Sequence, residues 1–532
     1  MKQISQYLNL LLIFPILSIA QSQDNSITIQ PYLQDATPES IIIKWETAFD
    51  SESIVEWGST KDLGNATSGI SYNIDYTESK IHEVKLVGLE RFTEYYYRVI
   101  TENVSSEIFR FKTPPFNGDR SSFNLIAMSD MQYDHNRPDK FKEIINEGVL
   151  SYFKEHYNGE LSDHLSMVLI PGDLVENGVK INQWRDHFFG PSAALFSEIP
   201  LYPVPGNHER NSSFFFKYFS LPENGTPAYA EHWWYKDYGN VRIIGLDSND
   251  GIRDIPSQLE WLKTLLSKTG ENDEIDFVFA QLHHPHKSEL WIPGETKFSG
   301  KVVTLLESFT ESTGKPSIHF FGHTHGYSRG QSKDHKHLWV NVASAGGAID
   351  NWGEYEGRDY DEFTVTQDEY GFVLVEVDAD KLNPSFTLKR ISSGNDGRSR
   401  NKEITDEITV WRNSLPPNSP SVLLPSSDKV DPVHILLEAS PFVSPKKDAI
   451  HAAAQWQVSA DSTFIKPVYD SWKQHENWYY LQNRQENDDL TDEQVLRLHP
   501  QRNYYCRVRY RDQYLNWSEW STTTGFTTKA AK

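Results

Sequence analysis

Five short motifs between Asp130 and His325 each place a metal-capable side chain where an apolar, β-rich run stops. This repeated placement constrains the fold more than any other feature of the chain. The runs are Phe123 to Met128, Met167 to Ile170, Leu201 to Val204, Val241 to Leu246, Phe277 to Leu282 and Ile318 to Phe321. Helical segments alternate with them, which predicts an α/β layered domain between Pro114 and about Arg412. One helix is bracketed by Ser257 and Glu260 as a capping-box pair and by Gly270 as its stop, with Leu259, Trp261, Leu262, Leu265 and Leu266 as its apolar stripe.

The motifs are Asp130-Met131-Gln132, Gly172-Asp173-Leu174-Val175-Glu176, Gly206-Asn207-His208-Glu209, Leu282-His283-His284-Pro285 and Gly322-His323-Thr324-His325. Singly they carry little, because an Asp after a strand is most often a turn or a cap, and a His pair is more often structural. Their order and their common position at strand ends carry the inference.

The segments on either side read differently. From about Ile27 to Thr113, short apolar and polar runs alternate between turn residues, as in Ser40-Ile41-Ile42-Ile43-Lys44-Trp45 and Val84-Lys85-Leu86-Val87, which predicts an all-β sandwich. Leu89 and Tyr95 have the same spacing as Leu498 and Tyr504 near the other end, and each pair predicts a tyrosine corner. Leu415-Pro416-Pro417-Asn418-Ser419-Pro420 reads as a linker before a second sandwich. In that last unit Trp456, Trp472, Trp478, Tyr479 and Tyr480 are expected in the core rather than on a sugar-binding face.

Taken in order, the five motifs resemble the signature of the calcineurin-like metallophosphoesterases. Gly322 to Arg329, Pro31-Tyr32-Leu33-Gln34 and the Trp45 strand are similar to the purple acid phosphatase version, with its fibronectin type III-like domain ahead of the catalytic one. The expected fold class is multidomain: a central α/β metallophosphoesterase layered sandwich flanked by two all-β fibronectin type III-like sandwiches. The expected boundaries are 1–20 for a signal peptide, 27–114 for the first sandwich, 115–412 for the catalytic domain, 413–424 for the linker and 425–532 for the last sandwich. Trp517-Ser518-Glu519-Trp520-Ser521 resembles the WSxWS stretch of cytokine receptors, but it is read as closing a sandwich and is assigned no receptor function.

The resemblance implies a dinuclear site. Asp173 bridges two ions, Asp130 and His325 complete the first position, and Asn207, His283 and His323 complete the second. His208 is the catalytic histidine that binds no metal and stabilises charge or protonates the leaving oxygen. Two cations suit a phosphate ester because they lower the pKa of water and neutralise the phosphoryl oxygens. His284 and His286 are candidate substrate contacts.

Two positions depart from the family. The purple acid phosphatase Tyr that follows the bridging Asp is Glu176 here, and the His that other members carry after the first Asp is Gln132. Ligation by the Gln132 amide oxygen, approach of Glu176 to the metal, and a filling water are the three open replacements. Loss of the anionic Tyr favours two divalent ions, Mn, Fe or Zn, in a colourless protein.

Composition bounds the partners. The formal net charge of −23 and the lack of a basic run disfavour nucleic acid. The small-molecule or sugar phosphate ester that the resemblance implies needs local positive charge in so acidic a chain, and bound metal ions would provide it. Lys2, the apolar run Leu8 to Ile19 with Pro15, and Ser18-Ile19-Ala20 predict a signal peptide rather than a transmembrane anchor, hence a periplasmic or secreted protein. A single Cys506 allows no internal disulfide. The competing expectation is a catalytically weak or inactive binding protein that uses its β-sandwich domains for polysaccharide or protein. Oligomeric state is not legible.

Overall fold

The structure, a computed structural model, describes residues 27–102, 104–426 and 429–530. The segment expected to be a signal peptide lies outside them. Among the described residues no helix is long and apolar enough to cross a membrane.

The central domain is built on two sheets that face each other. The first has six strands, with Phe123–Ala127, Met167–Ile170 and Leu201–Pro203 parallel at one side, then Tyr370–Asp378, Ser385–Asn395 and Arg398–Trp411 antiparallel. The second contains the parallel run Val241–Gly245, Phe277–Gln281, Ser317–Phe321 and His337–Asn341. Each strand expected from the sequence is present within a residue of its expected ends. Their apolar side chains meet in one core, where Phe386 of the first sheet packs edge-on against Phe277 and Phe279 of the second at 5.2 Å. Parallel strands covered on both faces are apolar throughout, which is why these runs do not alternate.

Helices cover the outer faces. Residues 140–156 lie against the first sheet, the helix Gly190–Phe196 packs between them and the N-terminal strand Ile27–Thr37, and Pro256–Gly270 with Lys297–Thr313 lies against the second. The capping-box expectation for Pro256–Gly270 is corrected. Ile255 is the N-cap, Pro256 takes the first turn, and the Ser257 hydroxyl is buried without a partner. Proline, with φ pre-set and no N–H to satisfy, starts the helix without a side-chain cap. The stripe itself is placed as read, with Leu262, Leu265 and Leu266 buried.

The N-terminal β-rich domain has two sheets, Ile27–Thr37, Ser40–Thr47, Lys80–Val87 and Ile70–Asn73 in one, and a sheet centred on Ile54–Gly58 and Glu94–Thr101 in the other. Along Ser40–Thr47, Ile41, Ile43 and Trp45 enter the core between them. Lys44 and Glu46 on the opposite face are equally buried, because that face lies on the central domain. There Lys44 donates to Lys217 O at 2.8 Å, Tyr218 donates to Glu46 at 2.9 Å, and Tyr32 donates to Tyr218 O at 2.7 Å.

The C-terminal unit again has two sheets. Its first strand, Val422–Leu424, pairs with His434–Ala439 and so lies inside the segment expected to be linker. The Tyr95 hydroxyl accepts from Glu90 N at 2.9 Å, and the Tyr504 hydroxyl accepts from His499 N at 3.1 Å. The expectation that the aromatics of this unit fill its core is corrected for the Trp478 group. Trp456 is core, but Trp478–Tyr479 pairs with Phe363–Gln367 and extends the second central sheet. A Trp-Tyr run satisfies a sheet edge in another domain as well as it fills a core.

Candidate metal centre

The motif residues converge where the parallel strands of both sheets end, the position at which open α/β sheets place ligands. Ser129 N donates to Val342 O, Gly322 N to His283 O, and Met131 N to Asp173 O, so the turns after the strands bond to each other. Asp130, Asp173 and His323 hold φ of 58°, 54° and 72°, a conformation uncommon for non-glycine residues. Three such residues in one cluster store strain that the surrounding bonds must hold, as functional sites do. Glycine is required beside them: a Cβ on Gly206 would lie 2.2 Å from Asp173 Oδ1.

Asp173 lies at the centre. Its Oδ1 accepts from His208 N at 2.9 Å, and its Oδ2 is 3.2 Å from His283 Nε2 and 3.4 Å from Gln132 Nε2. On one side Asp130 Oδ1 is 3.3 Å from His325 Nε2, which is 3.1 Å from the Gln132 amide. On the other side His283 Nε2 is 2.9 Å from Asn207 Oδ1 and 3.2 Å from His323 Nδ1. The seven residues expected as ligands therefore form two groups that share Asp173.

The chemistry of this donor set fits metal ions. His283 Nδ1 faces Pro171 O at 2.9 Å and His325 Nδ1 faces Ala348 O at 2.6 Å, contacts that need N–H donors. In the neutral tautomers so fixed, both Nε2 lone pairs point at carboxylate oxygens and repel them unless a positive charge lies between. Burial alone lowers the affinity of His283 for a proton, yet the charge and hydrogen bond of Asp173 outweigh it and raise its pKa to about 9. Burial is likewise outweighed at His325, which Asp130 raises to about 10. The site thus selects positive charge, whether as protons or as cations. Gln132 Oε1 is buried without a partner, and exchange of the amide atoms would turn that oxygen toward His325 and Asp173 as an added ligand.

His208 stands apart from the ligands. Its Nδ1 faces Glu176 O at 2.7 Å and its Nε2 is 3.8 Å from Asp173 Oδ2, with the ring partly exposed. Glu176 lies beside it, 3.8 Å from His208 Nδ1 with its side chain half exposed, and is not brought to Asp130. Of the three replacements considered for the first position, the Glu176 one is therefore not what the structure brings together. His284 is buried, bonded to Ser248 Oγ at 2.9 Å, with its ring 4.4 Å from His323. The expectation that His286 faces the substrate is corrected: its ring packs on Trp339, 5.4 Å away, beneath the helix Lys297–Thr313.

Two acidic residues act here that sequence reasoning left without a role. Glu209, fully buried, accepts from Gly206 N at 2.6 Å, Leu174 N at 2.8 Å and Asp173 N at 2.9 Å, and so ties two ligand-bearing turns together. Burial and the nearby Asp173 push its carboxyl up to about 7. Asp350 accepts from His325 N at 2.7 Å and follows no strand-end motif that would have marked it.

Comparison with known proteins agrees with the geometry. Residues 28–113 match the family model of the purple acid phosphatase N-terminal domain, and residues 123–327 that of the calcineurin-like phosphoesterases. Purple acid phosphatase 15 of Arabidopsis thaliana is 26% identical over 279 residues, 48% of this chain and 50% of that protein. A purple acid phosphatase of Glycine max is 22% identical over 321 residues, 56% of this chain and 64% of that protein. The chain thus spans between half and two thirds of these relatives' lengths. Among solved structures, a purple acid phosphatase from yellow lupin (Lupinus luteus) seeds has a TM-score of 0.57 at 18% identity, covering 71% of this chain and 73% of that one. This is a likeness of fold.

Proposed function

We propose that this chain, which belongs to the calcineurin-like phosphoesterases and carries the N-terminal domain of the purple acid phosphatases, hydrolyses phosphate esters at a dinuclear metal centre. The observation that carries the reading is the pair of candidate ligand groups sharing Asp173, in which imidazole nitrogens face the carboxylates of Asp173 and Asp130 and the amide oxygen of Asn207. Asp130, Gln132 and His325 would hold one ion, Asn207, His283 and His323 the other, and Asp173 both. Two divalent ions, when bound, supply Lewis acidity and lower the pKa of water.

The chain's own groups do the rest. Glu209 and the backbone contacts hold the ligand turns rigid, so the site is organised before the ester arrives. His208 is oriented by the Glu176 carbonyl, and its Nε2, 3.8 Å from Asp173 on a partly exposed ring, can stabilise a phosphoryl oxygen or donate a proton to the leaving oxygen. Glu176 beside it supports the protonated imidazole.

The substrate is placed outside the cytoplasm on the strength of the N-terminal apolar run Leu8 to Ile19. The two β-rich units are taken as fibronectin type III-like on their facing sheets and matching tyrosine bonds.

Elemental analysis of the purified protein, with hydrolysis of generic monoester and diester substrates, tests this reading. Two metals per chain and turnover are expected, with no intense visible band, since no tyrosinate is available at Glu176. One metal or none, without turnover after Mn, Zn or Fe is added, would overturn it.

A further inference from the structure

The C-terminal unit reaches the rim of the metal centre through one loop. That loop, residues 349–360, begins at the centre, where Asp350 exchanges bonds with the His325 backbone at 2.7 and 2.9 Å. Its far end is held by the C-terminal unit. Asn477 donates to Asp359 at 2.9 Å, Arg484 forms an ion pair with Asp359, and Gln474 donates to Asp361 O at 2.8 Å. Between the two ends, the ring of Trp352 lies 4.9 Å from Tyr479 and 5.5 Å from Tyr480. Pairing of Trp478 with Val365 fixes these tyrosines to the central sheet.

What the loop presents to the open side is aromatic. Trp291 lies 5.1 Å from the candidate ligand His323, and Tyr355 of the loop lies 6.0 Å from Trp291. Tyr355 is 45% exposed, so part of its ring faces solvent. Ile292 N donates to Glu356 O at 3.0 Å and keeps the Trp291 and Tyr355 segments side by side. Glu354 and Glu356 are exposed on the same loop, with Arg358 beyond them, and two carboxylates close to Tyr355 disfavour leaving groups that carry further anionic charge.

We propose that Trp291 and Tyr355 form a stacking wall for a neutral, planar leaving group, and that the C-terminal unit is a part of the active site because it holds this wall in place. Tyr480 and Tyr479 are positioning residues: they act through Trp352. The proposal rests on the phosphoesterase reading, and it gives the C-terminal unit a role in selecting substrate.

The test compares the metal-loaded full chain with Tyr355→Ala, Tyr480→Ala and Tyr480→Phe. Calorimetry measures binding of phenylphosphonate and methylphosphonate, which cannot be hydrolysed, and kinetics give kcat/KM for phenyl phosphate and glycerol phosphate. Wild-type protein is expected to bind phenylphosphonate more tightly than methylphosphonate. Both alanine variants should lower the phenyl-to-methyl affinity ratio and the phenyl-to-glycerol kcat/KM ratio by about fivefold to tenfold, the size of an aromatic pair. Tyr480→Phe should keep both ratios, because the packing against Trp352 is retained. Equal affinities in the wild type, ratios unmoved in either alanine variant, or a fall for both ligands together would overturn the proposal. Preferential binding of phenylphosphonate without turnover of any ester would instead remove the phosphoesterase reading and leave the wall standing.

Discussion

His208 and Asp173 lie 3.8 Å apart, but they differ in burial and in what they touch. Asp173 meets both ligand groups, so Asp173→Asn should strip both metals and abolish turnover. His208→Ala should keep two metals by elemental analysis while lowering kcat by about 10²-fold to 10⁴-fold, the range for loss of one proton-transfer group. Loss of metal from His208→Ala equal to that from Asp173→Asn would make it a ligand. A second histidine reports on pH. His82, in the N-terminal domain, is buried between Thr47 at 2.7 Å and Ser53 at 2.8 Å and stacks on Trp45, and burial lowers its pKa to about 4. Below its ordinary value of about 6.5 the unfolded chain binds a proton that the native imidazole refuses, so stability falls as pH drops from about 6.5 to about 4. The loss amounts to about 3 kcal/mol. His82→Gln should remove this component: between about pH 7 and about pH 4.5 its Tm should fall less than that of the wild type, and an equal fall would refute the assignment. The candidate ligand residues were legible because each follows an apolar strand. Glu209 and Asp350 were not, because a carboxylate that organises backbone N–H groups leaves no pattern of its own.

At the scale of elements, the strand ends were readable because a run buried on both faces has sharp polar limits. The start of Pro256–Gly270 was misread because Ser257 and Glu260 satisfy a spacing rule without making the bonds. The Trp517 to Ser521 stretch shows a different kind of limit. It closes the sandwich, with Ser518 and Ser521 bonded to the strand Asn503–Asp512, and it does more. The guanidinium of Arg507 lies 4.1 Å from Trp520, that of Arg509 4.6 Å from Trp520 and 4.3 Å from Trp517, and that of Arg511 5.3 Å from Trp517. The ladder ends in the central domain, where buried Arg511 donates to Ser332 O at 2.9 Å and His335 O at 2.8 Å, and Trp517 Nε1 to Lys333 O at 2.7 Å. Arg511→Ala leaves two carbonyls without their donors and should destabilise the chain by roughly 2 to 3 kcal/mol in denaturant titration. Arg511→Lys should recover little, since an ammonium cannot stack in the plane of the ladder or reach both carbonyls. Wild-type stability in the lysine variant would show that charge alone matters there.

For the whole molecule, the N-terminal β-rich domain and the layered phosphoesterase domain were legible from the change in period along the chain, whereas the contacts that join the parts of the chain were not. They rest on polar residues, such as Lys44, Glu46 and Arg511, whose burial depends on a partner far away in sequence. These joints couple the domains. The N-terminal sheet bonds to residues 217–220, the C-terminal strand Trp478–Tyr479 completes the central sheet, and the metal centre ties both central sheets together at their shared end. Metal binding should therefore stabilise more than the site. An ion bound only by the native state adds RT ln(1 + [L]/Kd), about 4 kcal/mol at a thousand times Kd, and chelation removes it. A chelator should lower the calorimetric Tm of the full chain by several degrees and keep one main transition, with both β-rich units melting together with the catalytic domain. If instead one transition moved and another stayed at its original temperature, the unmoved unit would be folding independently. Its joint, polar and buried as it is, would then not transmit the stability of the metal centre.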